Sequence, residues 1–81
     1  MKKKMTLTER LEIRTINVYY HHYTNIDVVC ITRITKGGHI SRDIVRSDNS
    51  VYHDFMSKLA QIPPQVELKF HHIFHCEEFL G

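Results

Sequence analysis

Apolar and polar residues alternate most regularly near the C-terminus, between Gln65 and Phe79. Side chains alternate between the two sides of a strand, so one side here would be mostly apolar, consisting of Val66, Leu68, Phe70, His72, Phe74 and Cys76. On a helix, the same apolar residues would be scattered around the circumference instead of forming a stripe. The pattern therefore predicts a C-terminal strand, with His71 and His75 on its other side.

Two hairpins are predicted earlier in the chain. The runs 16–20 and 26–32 are rich in β-branched and aromatic residues, and the turn residues 23–25 separate them. Gly37 and Gly38 then supply the two-residue loop of a second hairpin, whose returning strand covers about 39–45. The segment before Ile16 either extends the first strand or forms a short helix that starts at Thr6 or Thr8.

A helix is predicted after the second hairpin. Ser47, Asp48, Asn49 and Ser50 offer N-caps, and the apolar residues that follow at helical spacing, before Pro63-Pro64, are Val51, Phe55, Leu59 and Ile62. The predicted fold class is α+β, a small antiparallel sheet of about four strands in the order β-β-β-α-β with one amphipathic helix packed on one face. Residues 1–81 are predicted to form a single domain, with residues 1–6 as a flexible basic tail.

Strand register follows from the assumed loop lengths. A two-residue loop at Gly37-Gly38 and a four-residue first turn give one apolar face for the helix, containing Ile16, Val18, Tyr20, Val29, Ile31, Ile40 and Ile44. The same register places Arg14, Arg33 and Arg42 side by side at one end. Such a row of like charges needs an anion, a carboxylate or open water nearby, and it is the best candidate for a binding site. Alternatively, the arginine stems cover the helix end, with their heads in water or paired with Glu12 and Asp43. A one-residue bulge would scatter the row.

The opposite face is predicted to be partly apolar, which is typical of a surface that meets a partner. Tyr19 and Tyr23 lie near the first turn, and tyrosine is enriched at interfaces, although these rings could instead close the end of the sheet. The candidate partner-binding residues are Arg14, Arg33, Arg42, Arg46, Tyr19, Tyr23, His71 and His75.

Seven histidines make a metal site worth testing. On a strand, His71 and His75 stand about 13 Å apart, too far to share one ion. Further ligands would have to come from His21, His22 or His39, and the short Cys/His spacings of structural zinc sites are absent. We expect no metal site and no cofactor.

The two cysteines, Cys30 and Cys76, fall on apolar strand faces and are expected to be buried thiols. The lysines at positions 2–4 are not followed by the apolar segment of a signal peptide, and no stretch approaches the ~20 apolar residues of a membrane span. We expect a cytoplasmic protein with no membrane contact.

Composition favours binding over catalysis. Neither paired carboxylates nor a nucleophile with its base is present, so we expect no enzyme and no catalytic residue, with a histidine-based nuclease using His71 and His75 as the enzymatic alternative. An 81-residue chain buries a limited share of its surface, so we expect it to form a homodimer. The partly apolar opposite face favours a protein partner. A nucleic-acid-binding sheet is the alternative, although the net charge is only +2.

The run from Arg42 to Val51, which joins a three-stranded meander to a single helix and a last strand, resembles part of small phage-encoded inhibitors of host defence, including some anti-CRISPR proteins. The resemblance covers about residues 16–79 as an order of elements. It implies a protein that occludes the working surface of a host protein, without catalysis or a cofactor.

Overall fold

Four strands and one helix follow one another in the computed structural model, which describes residues 13–81. They are β1 (Ile13–His22), β2 (Asp27–Thr35), β3 (Ile40–Arg46), α1 (Tyr52–Leu59) and β4 (Glu67–Phe74). The predicted α+β class and the order β-β-β-α-β are confirmed. The first strand extends back to Ile13, whereas the basic tail at 1–6 and the helix start at Thr6 or Thr8 lie outside the described residues.

The sheet is mixed, so the prediction of an antiparallel sheet is wrong in one respect. Its strand order is β3-β2-β1-β4, and β4 runs parallel to β1. The reason is the long connection through α1, which returns the chain to the end of the sheet where β3 began. Parallel strands need such a crossover, whereas the two hairpins make β1-β2 and β2-β3 antiparallel.

The first hairpin has a different register from the predicted one, but the same faces. His22 pairs with Asp27, and Val18 pairs with Ile31 instead of Val29. The shift equals two residues, and a shift of two leaves each side chain on its original side of the sheet. The prediction that Ile16, Val18, Val29 and Ile31 share a face is therefore confirmed.

The second hairpin has a loop one residue longer than predicted, because Gly38 adopts φ +87°. The Gly38 amide donates to the Thr35 carbonyl at 3.1 Å, and the Thr35 amide donates to the His39 carbonyl at 3.0 Å. These bonds define a three-residue loop with a left-handed glycine at its third position. The extra residue shifts β3 by one place, which moves every β3 side chain to the other face.

The shift exchanges core and surface residues along β3. Ile40 is 58% exposed and Ile44 is 68% exposed, whereas Val45 is only 5% exposed. The prediction that Ile40 and Ile44 lie on the core face is wrong, and Val45 is the β3 residue that joins the core.

The hydrophobic core is small. It consists of Ile16, Val18, Val29, Ile31, Val45 and Val66, and the α1 side chains Phe55, Met56 and Leu59 pack against it. None of the eight phenylalanines and tyrosines, all of which lie within residues 13–81, is buried. A fold that leaves all its aromatic side chains partly in water has apolar surface available for contacts with other molecules.

The helix begins close to where the sequence predicts but ends earlier. The N-cap position is occupied by Val51 and no side chain caps it, so the prediction that one of residues 47–50 is the N-cap is wrong. The Asn49 side-chain carbonyl instead accepts a hydrogen bond from the Val51 amide at 3.0 Å in the turn before the helix. On the surface, Asp54 and Lys58 form an i,i+4 pair at 3.5 Å. The chain leaves the helix after Leu59, and Ile62 packs against the core from the following turn.

The register of β3 predicts effects of very different size for two adjacent substitutions. Val45→Ala should lower the free energy of unfolding by about 2 kcal/mol, because it removes buried methyl groups and leaves a cavity. Ile44→Ala should change it by less than about 0.5 kcal/mol, because the side chain already lies largely in water. Urea denaturation measures both, and a larger loss from Ile44→Ala would contradict the register.

The second turn provides a similarly matched pair. Gly38→Ala should destabilise the fold by about 1 kcal/mol, because a Cβ disfavours the positive φ. Gly37→Ala should be close to neutral, since its Cβ would meet only the His39 ring, at 3.7 Å. Equal effects in thermal denaturation would mean that Gly38 does not determine the loop.

Candidate functional site

The side of the sheet opposite the core carries six of the eight predicted partner-binding residues, and we call it the open face. Its central pair is Tyr19 and His71, which are neighbours in the parallel register and stack with ring centroids 4.7 Å apart. His71 Nε2 also lies 3.1 Å from Asn17 Oδ1, and it donates a hydrogen bond to this oxygen in the tautomer that carries its proton on Nε2. This bond fixes the His71 ring in the middle of β4.

The apolar part of the open face lies along β3. Ile40 pairs with Ile34 and Ile44 pairs with Cys30, and the two β2 residues are half-buried. Arg42 stands between the two isoleucines and is exposed. We call Ile40, Arg42 and Ile44 the isoleucine strip.

An aromatic cluster closes the open face at the β1-β2 turn. Tyr23 stacks on His75 with centroids 4.2 Å apart and meets the Phe79 ring at 5.1 Å. The Arg46 guanidinium lies 5.1 Å from the centroid of Phe79, and its terminal nitrogen pairs with Asp48 at 2.9 Å. The predicted alternative for Tyr23, a ring closing the end of the sheet, describes this arrangement.

Asn25 holds the C-terminal segment in this cluster. Its side-chain oxygen accepts from the Phe79 amide at 2.9 Å, and its side-chain nitrogen donates to the Phe79 carbonyl at 3.1 Å. A third bond joins the Thr24 amide to the Glu77 carbonyl at 3.1 Å. The first turn therefore positions the last residues of the chain.

A second aromatic group lies on the core side of the sheet, and we call it the aromatic ladder. It consists of Phe70, Tyr20, His72, His22 and Phe74. Tyr20 stacks on His72 at 5.0 Å, and His22 stacks on Phe74 at 4.7 Å. The alternation of apolar and polar residues along β4 was visible in the sequence, but the pairing of β4 with β1 was not. The sequence analysis therefore missed the aromatic ladder.

Two histidine pairs join β1 to β4 and its extension. His22 Nε2 lies 2.9 Å from His72 Nδ1, and His21 Nδ1 lies 3.0 Å from His75 Nε2. The other nitrogen of His22 lies 3.0 Å from Asp27 Oδ1. When His22 donates to this carboxylate, its second nitrogen accepts the proton of His72, so three side chains form one hydrogen-bonded chain.

Two tyrosines near the ladder are electrostatically perturbed. Burial raises the pKa of Tyr20 above its ordinary value of 10.0, and the nearby Tyr52 and Asp27 raise it further. Burial, followed by the charge of Asp27, also raises the pKa of Tyr52. Both phenols therefore remain neutral at physiological pH.

The predicted arginine row does not form. Arg33 pairs with Asp43 on the core side, whereas Arg42 lies on the open face opposite Thr32. Arg14 is exposed at the register irregularity between Ile13 and Thr15. The physical reason is the one-residue shift of β3, together with this irregularity, so the prediction that Arg14, Arg33 and Arg42 lie side by side as a binding site is wrong.

The cysteines lie differently from expectation, and the histidines of β4 have separate partners. Within residues 13–81, no three histidine, cysteine or acidic side chains converge so that they could hold a metal ion. His71 and His75 bond to different partners, Asn17 and His21. Both cysteines carry free thiols, but Cys30 is half-buried and Cys76 is exposed, so the expectation that both are buried is wrong.

Comparisons with models of protein families, with curated proteins and with solved structures found no match to this chain. In the described part of the chain, no helix has the length and apolar character needed to cross a membrane.

The two hydrogen bonds between the Asn25 side chain and the Phe79 backbone, which we call the Asn25 clamp, predict a local effect at Phe79. Asn25→Ala should release Phe79 and speed hydrogen exchange of its amide at least tenfold, because the bond that protects this amide is lost. Asn25→Asp keeps the acceptor and should retain most of the protection, so it is the matched control. Unchanged exchange in Asn25→Ala, measured by NMR, would show that the clamp does not hold the segment.

Proposed function

We propose that this protein is a non-enzymatic protein-binding module whose contact surface is the isoleucine strip on the open face. The observation that carries the proposal is the exposure of Ile40 and Ile44, at 58% and 68%, on one side of an edge strand. Full burial of an isoleucine contributes roughly 1.5–3 kcal/mol, so a partner that covers both gains a substantial part of a specific binding energy.

The charge beside the isoleucines indicates which partner would fit. Arg42 projects between them and forms no ion pair with another described residue. Arg46 follows on the same face but already pairs with Asp48. A complementary partner surface would present an apolar patch with a carboxylate placed to meet Arg42.

Nucleic-acid binding is the second candidate, and the aromatic ladder is the observation that favours it. Exposed aromatic rings on a sheet can stack bases, but binding also requires cations for the phosphates. Four of the seven lysines and arginines within residues 13–81 pair with carboxylates, in the pairs Arg33–Asp43, Arg46–Asp48, Lys58–Asp54 and Lys69–Glu67. Within the described part of the chain, this pairing reduces the number of cations available to phosphates, which supports a protein partner.

The proposed mode of action is occlusion. The resemblance to phage-encoded inhibitors implies that the module covers the working surface of a host protein, and no chemistry of its own is then required. Action in the cytoplasm is part of the proposal, and it is supported by the free thiols of Cys30 and Cys76.

The test is capture of a partner followed by a binding measurement with both proteins purified. Ile40→Ala and Ile44→Ala should each weaken binding at least about tenfold, because each removes apolar area from the contact. Leu80→Ala is the matched control, since Leu80 is 94% exposed and does not belong to the strip. The Leu80→Ala variant should bind the partner with the same affinity as the unchanged protein.

A salt titration with mixed DNA and RNA separates the two candidates. Phosphate contacts predict a steep loss of affinity as ionic strength rises, whereas the proposed protein contact predicts no salt-sensitive nucleic-acid binding. Salt-dependent binding that Phe74→Ala abolishes and Ile44→Ala leaves intact would overturn the proposal in favour of the nucleic-acid module.

A further inference from the structure

The outer edge of β4 has unpaired backbone groups whose positions can be deduced. The His75 amide donates to the His22 carbonyl at 2.9 Å, so the odd-numbered residues of β4 direct their backbone groups toward β1. In a parallel ladder the intervening residues face the other way. The outward donors and acceptors therefore belong to Leu68, Phe70, His72 and Phe74, and no described strand pairs with them.

This edge has few of the features that prevent strands from pairing. Natural edges are blocked by charges, prolines or bulges. Within β4 the only charged residues are Glu67 and Lys69, which lie at one end and pair with each other at 3.8 Å. The rest of the edge is apolar and aromatic, with Phe70 50% exposed and Phe74 77% exposed.

We propose that a second copy of this chain pairs with the outer edge of β4, antiparallel, about a twofold axis at His71. The two sheets then form one eight-stranded sheet. This contact lies at the opposite edge of the sheet from the isoleucine strip, so it does not depend on the proposed function.

Backbone pairing selects this register. With the axis at residue 71, Leu68 lies opposite Phe74 of the second copy and Phe70 lies opposite its His72, so all four outward residues are paired. An axis at residue 70 leaves Phe74 without a partner, and an axis at residue 72 leaves Leu68 without one. An axis between two residues would set outward groups against inward ones, which cannot bond.

Side chains favour the same register. Glu67 lies opposite His75 of the second copy, and Lys69 lies opposite its Ile73, so no like charges face each other. An axis at residue 72 would instead bring Glu67 against Glu77 of the second copy. On the other side of the sheet, the aromatic ladder continues across the axis through the contact of Phe70 with His72, which is a favourable cross-strand pair.

The interface is of modest size. An edge contact of one strand lies toward the lower end of specific interfaces, which bury about 1,200 Å² in total. We expect reversible dimers at micromolar concentrations, with the open faces of the two copies lying on the same side of the joint sheet.

Disulfide cross-linking tests the register directly. In a background with Cys30→Ser and Cys76→Ser, the His71→Cys variant should form covalent dimers on mild oxidation, because Cα atoms of a non-hydrogen-bonded pair lie about 4.5 Å apart. The Lys69→Cys and Ile73→Cys variants should each fail alone, since each residue stands about 13 Å from its own counterpart. Mixed together, these two variants should cross-link to each other.

Sedimentation equilibrium of the full chain tests the edge itself. Phe70→Lys should weaken the dimer at least tenfold, while Ile44→Lys, at the other edge, should leave it unchanged, with circular dichroism showing that both variants fold. Any of three results would overturn the proposal: a protein that stays monomeric at millimolar concentration, self-cross-linking at position 69 or 73, or a dimer that only Ile44→Lys dissociates. Unchanged partner binding by Ile44→Lys, with the dimer intact, would instead count against the isoleucine strip.

Discussion

The parallel pairing of β4 with β1 is the contact on which the other features depend. It joins residues 52 positions apart along the chain, and it turns β1 from an edge strand into one of the two interior strands of the sheet. The same pairing sets His72 beside Tyr20 on one side and His71 beside Tyr19 on the other. Without it, neither the aromatic ladder nor the centre of the open face would exist. Histidine pairs on both sides of the sheet then hold the two strands in one register.

Local patterns were sufficient to predict the elements and most of one face. Alternation identified β4 as a strand, and β-branched runs located β1 and β2, because both signals depend only on neighbours along the chain. Loop length was decisive for β3. A single left-handed residue, Gly38, makes the turn one residue longer. Because side chains alternate between the two sides of a strand, this shift of one residue moves every β3 side chain to the other face. The hydrophobicity of Ile40 and Ile44 pointed to the core, and the turn geometry overrode it.

The candidate surface was predicted in composition but not in arrangement. Tyr19 and His71 were chosen separately, as an interface residue and as a strand histidine, and only the parallel register brings their rings together. Arg33 and Arg42 were expected side by side, yet the shift of β3 puts them on opposite sides of the sheet. Contacts between distant segments depend on strand order, and an order that requires a crossover leaves no local trace in the sequence.

The chain order of these strands has a consequence for biosynthesis. Strand β1 is made before the other three strands, whereas its second neighbour, β4, is made only after both hairpins and α1. While the ribosome still holds the residues of β4, the two hairpins can form and β1 remains a free edge. This interior strand of the finished sheet is thus the one that waits longest for its neighbour, and during that interval a nascent chain or a chaperone can occupy the place of β4.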